Sequence, residues 1–166
     1  MHETDEDMSR LQALLDRSFG SAGGHLLEVI PPDRRLGAPE LCARLDGMRP
    51  LALATVTADG RPLVGPVDGI FYQGAFHFGS SPDSVRVDHL RRRPQVSATH
   101  LPDETFAVTV HGVATILDLA DPSQSGLRAT LLGHYVPRYG TDGEAFLDGN
   151  VYARIEAHRI YVYAGA

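Results

Sequence analysis

The spacing of hydrophobic and polar positions changes character near residue 50. Before it, Met8, Leu11, Leu14, Leu15 and Phe19 recur at helical intervals with charges between them, which predicts a helix over Met8–Phe19. Gly20, Gly23 and Gly24 break that pattern, and a short apolar stretch, Leu26–Ile30, runs into Pro31-Pro32, which cannot continue a helix. Residues 38–48 read as a second short helix that Gly47 and Pro50 terminate.

After residue 50 the pattern is that of strands. Leu51–Thr57 is rich in β-formers, Ala58-Asp59-Gly60-Arg61 is a hairpin signal, and Pro62–Val67 returns as the partner. Two prolines in that partner suit an edge or bulged strand. Ile70–Tyr72 and Ala75–Phe78 form a second hairpin around Gln73-Gly74, ended by Gly79. A helix is predicted over 82–92, with Ser81 as N-cap, Pro82 in the first helical position and Asp83 at the positive end of the dipole. Arg91, Arg92 and Arg93 sit at its negative end and Pro94 stops it. Val96–His100 and Phe106–Leu117 follow as strands, with a bulge expected at Gly112. Asp121-Pro122 caps a helix through Leu132, a Gly-rich loop follows, and Val151–Tyr163 is a final strand, interrupted near Ala157-His158. Six or seven antiparallel strands with a helix inserted after the fourth predict a mainly β barrel, not a doubly wound sheet. The chain divides into an N-terminal helical extension (1–37) and a barrel domain (38–166).

Composition narrows the chemistry. At 166 residues the chain suits one domain with a real core. No apolar run approaches the roughly 20 residues of a spanning helix, and the acidic start, His2-Glu-Thr-Asp-Glu-Asp7, is unlike a signal peptide. The expectation is a cytoplasmic protein with no membrane contact. A net charge of −6 argues against nucleic-acid binding, which needs a basic face. All 15 basic residues are arginines, so lysine Schiff-base chemistry is excluded and any cationic grip on phosphate must be a guanidinium's. The single cysteine, Cys42, reads as a small buried hydrophobe on the face of Leu41 and Leu45.

The segment between residues 75 and 92 carries the sharpest candidate site. A helix N-terminus offers unpaired N–H groups and partial positive charge, which attract phosphate. Ser80 and Ser81 precede the helix, Ser84 lies in its first turn, and Arg86 can fold back toward the same anion. The same residues also make an ordinary capped helix with solvated arginines, and Asp83 opposes an anion by like-charge repulsion. The eight histidines show no zinc-type spacing and no serine sits in a GxSxG elbow, so neither a metal site nor a hydrolase is expected.

Leu53-Ala-Thr-Val-Thr-Ala-Asp-Gly-Arg-Pro62, Val64-Gly-Pro-Val67, Phe78-Gly-Ser-Ser81 and Ser84-Val-Arg-Val-Asp-His-Leu-Arg-Arg-Arg-Pro-Gln-Val96 occur in an order and spacing that resemble the pyridoxamine 5′-phosphate oxidase-like superfamily. The resemblance covers residues 38–117 well and the rest in outline. It implies an FMN-binding split β-barrel that works as a homodimer, with cofactor grooves at the interface. It implies that Val64, Pro66 and Val67 wall the cofactor ring, and that Gly79, Ser80, Ser81, Ser84 and Arg86 hold its phosphate. Thr99 and His100 would contact the cofactor of the second subunit. The family often has a basic residue where this chain has Val85. The expected function is a flavin (FMN) or deazaflavin (coenzyme F-420) dependent oxidoreductase of a small organic substrate. The alternatives are a non-catalytic flavin-sequestering protein and a haem-binding split barrel. Pyridoxamine phosphate is not the expected substrate, because the family's C-terminal arginine–tryptophan motif is missing: the chain has no tryptophan and ends Arg159-Ile-Tyr-Val-Tyr-Ala-Gly-Ala166. No catalytic side chain is assigned, since the cofactor would carry the redox chemistry.

Overall fold

A computed structural model describes residues 2–165. Thr4 caps helix α1 (Asp5–Gly20): its hydroxyl accepts from Asp7 N and its own N–H donates to the Asp7 carboxylate, a reciprocal capping box. Helices α2 (Gly24–Val29) and α3 (Ala38–Arg44) follow, so the stretch expected only to be apolar before Pro31 is one further helical turn and a half. Seven strands then form one antiparallel sheet: β1 (Leu51–Val56), β2 (Pro62–Val67), β3 (Gly69–Tyr72), β4 (Ala75–Ser80), β5 (Gln95–Asp103), β6 (Phe106–Leu117) and β7 (Val151–Ala164). Their spatial order, β2-β1-β5-β6-β7-β4-β3, with helix α4 (Val85–Arg92) inserted after β4, is that of a curled split barrel. Prolines 62 and 66 lie on β2, which pairs only with β1 and leaves its other edge unbonded, so no ladder donor is lost.

Strand alternation puts Leu51, Leu53, Phe76, Phe78, Val108, Val110, Ile155, Ile160 and Val162 inside. The N-terminal extension shares this core through Leu11 and Leu15 of α1, and α3 adds Leu41, Cys42 and Leu45. Cys42 is buried, and burial, with Glu3 and Asp7 nearby, pushes its thiol up to about 12, which makes it an inert hydrophobe at neutral pH. Helix α1 also closes a sheet edge: buried Ser18 accepts a hydrogen bond of 3.0 Å from Ile160 N in β7. Among the described residues, no helix is long and apolar enough to cross a membrane.

Three sequence expectations require correction. β7 is continuous, and the interruption expected near Ala157-His158 is a bulge: His111 pairs with Arg159 and Gly112 with Ala157, which leaves His158 as the extra residue. Gly112 therefore faces the bulge without belonging to it, and a Cβ there would meet the Glu156 carbonyl and come within 2.8 Å of Ala157 Cα. The helix expected to end at Leu132 continues as α5 (Ser125–Tyr139), and the Gly-rich loop folds into a 3-10 turn and helix α6 (Gly143–Asp148). Leu127, Leu131 and Tyr135 continue at helical spacing and bury against Ile70, Leu147 and Tyr152 in a second core, and this packing overrides the local break signals. Finally, α4 starts at Val85 and not at residue 82. Ser81–Ser84 first makes a turn closed by Ser84 N to Ser81 O at 3.0 Å, so the N-cap is Ser84, whose hydroxyl accepts from Val87 N at 3.3 Å.

Candidate functional site

The curl of the sheet brings the C-terminal end of edge strand β2 close to the C-terminal end of β4, and α4 starts beside this seam. Arg86, in the first turn of α4, spans it. Its Nη1 donates to Ser80 Oγ at 3.0 Å and its Nη2 donates to the Pro66 carbonyl at 3.3 Å. Ser80 Oγ lies 3.0 Å from Ser84 Oγ, so two hydroxyls and a guanidinium form one connected polar group. Burial lowers the Arg86 pKa from its ordinary value, and the side chain stays charged at any physiological pH.

This group lines a cleft of about 320 Å³. Of the residues singled out from sequence, Pro66, Val67, Gly79, Ser80, Ser81, Ser84 and Arg86 face it. Val64 lies on the other side of Arg86, in a hollow of about 200 Å³ that shares Ser84 and Arg86 with the cleft. Thr99 and His100 lie elsewhere. Thr99 bonds Thr109 across the β5–β6 ladder at 3.0 Å, and His100 is buried with Nδ1 2.9 Å from the Pro50 carbonyl.

Five residues at the cleft were not anticipated, Asn150 before β7 among them. Asp68 stands at the end of β2, and Tyr135, Phe146 and Tyr152 form an aromatic wall from α5, α6 and β7. The Tyr135 and Phe146 rings meet edge-on at 5.0 Å between centroids. The 127/131/135 spacing was the available signal for Tyr135, but Gly133 and Pro137 masked it.

The cleft fits an anionic, partly aromatic ligand on three observations. Tyr152 Oη is buried and makes no well-formed hydrogen bond among the described residues. Its phenol is raised far above the ordinary range by burial first and by its approach to the Tyr135 phenol second, with Asp68 adding to the effect, so it stays neutral. Gly79 lies under the Tyr152 ring, where a Cβ would come 3.0 Å from Cε1, so the small residue lets the ring close down on the strand end. Arg86 gives two of its five N–H groups to Ser80 and Pro66. Asp68 is the opposing charge: with Arg86 it leaves the cleft near neutrality, so an anion must be held by directional hydrogen bonds more than by net field. Among the described residues no histidine lines this cleft; His111 borders a separate apolar hollow, with Nδ1 2.8 Å from Ser97 Oγ.

The same fold occurs in solved structures of low sequence identity. A conserved hypothetical protein of Mycobacterium tuberculosis is 23% identical over 80% of this chain and 88% of its own, with a TM-score of 0.64. The haem storage protein HutZ of Vibrio cholerae is 21% identical over 82% of this chain and 96% of its own, with a TM-score of 0.59. A FAD-binding protein of Mesorhizobium loti is 21% identical over 80% and 98%, with a TM-score of 0.57. No curated protein matches the chain. Residues 38–161, from the first turn of α3 to late in β7, match the family described as pyridoxamine 5′-phosphate oxidase, and with that span of sequence and the split barrel together, the chain belongs to this family.

Proposed function

We propose that this protein is an oxidoreductase that uses a phosphate-bearing flavin, FMN or the deazaflavin coenzyme F-420, on a small organic substrate other than pyridoxamine phosphate. The observation that carries the reading is the convergence of Ser80, Ser84 and Arg86 where β2, β4 and α4 meet. In this reading Ser80, Ser81, Ser84 and Arg86 hold the phosphate, with N–H groups of the first turn of α4 behind them. Pro66 and Val67, with Val64 across Arg86, wall the ring system, and Tyr152 gives the ligand a hydrogen bond. When bound, the flavin supplies the hydride chemistry, while the chain binds, orients and excludes water. The absence of tryptophan supports a substrate other than pyridoxamine phosphate. The lack of a histidine in the cleft favours flavin over haem.

The protein acts as a homodimer in this reading. The outward face of β2, β1, β5 and β6 is built of small or exposed side chains: Val64 is 64% exposed and Leu101 64%, with Ala52, Ala54, Ser97 and Thr99 between them. Such a face of small side chains suits a second copy; in this reading Thr99 on it contacts the partner's cofactor, whereas His100 is buried.

The test is the visible spectrum of the purified protein with titration of FMN, F-420 and haemin. Flavin or deazaflavin bands with saturable binding are expected. Arg86→Ala should weaken FMN by about 10–100-fold, the scale of one lost charge-assisted hydrogen-bond set, and Arg92→Ala, at the exposed far end of α4, should leave it unchanged. A Soret band with no flavin affinity, or equal losses in both variants, defeats the reading. Flavin that binds but is not reduced or oxidised with any reductant or small substrate leaves a sequestering protein.

A further inference from the structure

We propose that a second cleft, between α1 and β7, binds a small organic anion, a carboxylate or phosphate carried on an apolar body, with Arg154 and Arg17 as its anchors. This site is independent of the flavin reading. It opens where β4 parts from β7: the two strands pair only from His77↔Arg154 to Ser80↔Val151, and beyond that point β7, still paired with β6, has α1 along its other edge. The gap has a volume of about 520 Å³, larger than the Ser80–Arg86 cleft, and so has room for more than an inorganic ion.

Arg154 is the observation that points to a ligand. It sits within a strand, and its Nε is buried without a hydrogen-bond acceptor among the described residues. No carboxylate lies within ion-pairing distance of it there. The residue is half-buried with only Nε wholly shielded from water, and an N–H so shielded is ordinarily paired, because its desolvation must be offset by an acceptor. Its nearest acid in sequence on the strand, Glu156, instead accepts from Thr115 at 3.0 Å. Arg17 faces the same cleft from α1 and is likewise without a carboxylate partner, whereas Arg10 is taken by Asp7 at 2.6 Å and Glu6. The lining thus has three arginines against Asp7 and Glu156, and Asp7 is already paired, so the uncommitted charge is positive. The half-buried Leu14 supplies apolar surface, which an inorganic ion would not use, over Leu11 and Ile155 of the core beneath. A guanidinium from each wall, Arg17 of α1 and Arg154 of β7, beside the half-buried Leu14 is the complement of an amphipathic anion.

The experiment is isothermal titration of the full chain with phenyl phosphate, benzoate and inorganic phosphate at constant ionic strength. Phenyl phosphate should bind saturably and more tightly than inorganic phosphate. In the Arg86→Ala background, which removes the phosphate grip of the other cleft, saturable binding should persist, and Arg154→Gln and Arg17→Gln should each weaken it by about tenfold, the scale of a lost charge-assisted contact. If Arg154→Gln does not fold, as judged by circular dichroism, Arg17→Gln on the exposed face of α1 decides the matter. Absence of saturable binding, equal affinity for inorganic and phenyl phosphate, or a loss confined to Arg86→Ala overturns the proposal.

Discussion

His77 shows how one buried side chain ties the strands to solution conditions. It lies on β4 directly across from Arg154, with Nδ1 3.1 Å from the Ala75 carbonyl and its ring edge-on to Tyr72. Burial first, and the Arg154 charge second, push its pKa down to about 4, against which the Ala75 carbonyl works. The folded state therefore takes up the proton less readily than the unfolded chain, whose histidine titrates at about 6.5. The stabilisation is fully present above pH 6.5 and is lost as pH falls from 6.5 to about 4. His77→Gln should flatten the pH dependence of urea unfolding in that window, where the wild-type chain loses about 3 kcal/mol from this group. An unchanged slope would show that His77 is not held neutral. The same scale explains a misplaced cap. Ser81 and Ser84 are both good N-caps, and Pro82 suits both the first position of a helix and the second position of a turn. The sequence supports either start, and the turn closed by Ser81 and Ser84 selects the later one. That shift is what leaves Ser80 and Ser84 side by side under Arg86.

Among the elements, the α5–α6 pair decides the shape of the cleft. Arg128 on α5 pins α6 through Asp148 at 2.6 Å and Glu144 at 3.0 Å, and Leu131 and Leu147 bury the inner face. This helical pair delivers Tyr135 and Phe146 to the cleft beside Ser80 and Arg86. Leu131→Ala should cost about 2–5 kcal/mol of stability by the cavity it leaves, and should also weaken FMN binding, because the aromatic wall stands on that packing. Chemical denaturation and FMN titration of the same variant check both; lost stability with unchanged affinity would mean that the wall does not touch the ligand. Strand-by-strand reading of the barrel succeeded where turn chemistry was strong. Asp59-Gly60 and Gln73-Gly74 mark hairpins whose registers, Leu51↔Val67 to Val56↔Pro62 and Gly69↔Phe78 to Tyr72↔Ala75, follow directly from them. It failed over 133–148, where Gly133, Pro137, Gly140 and Gly143 look like a loop and only burial against Ile70 and Tyr152 makes helices.

For the whole molecule, the open face of the curled sheet is the feature that bears on assembly. A dimer built on it is expected to dissociate in Val64→Asp, which places a charge at the centre of an exposed apolar edge without touching the core. Sedimentation velocity should show wild-type dimer and variant monomer. Two dimeric species would move the interface elsewhere, and two monomers would remove it.

The sequence alone determined the features that depend on neighbours along the chain: hairpin turns, the helix after β4, the burial of Cys42 between Leu41 and Leu45, and the arginine-only chemistry of any anion grip. These follow from local backbone preference and side-chain type, which need no distant partner. Only the tertiary structure decided what lies across a seam. It brought Pro66 to Arg86, Tyr152 over Gly79, and Arg17 to the same cleft as Arg154, contacts between residues far apart in the chain. Such juxtapositions depend on how strongly the sheet curls and where β4 leaves β7, and both are set by packing summed over two cores, which no local pattern in the chain records.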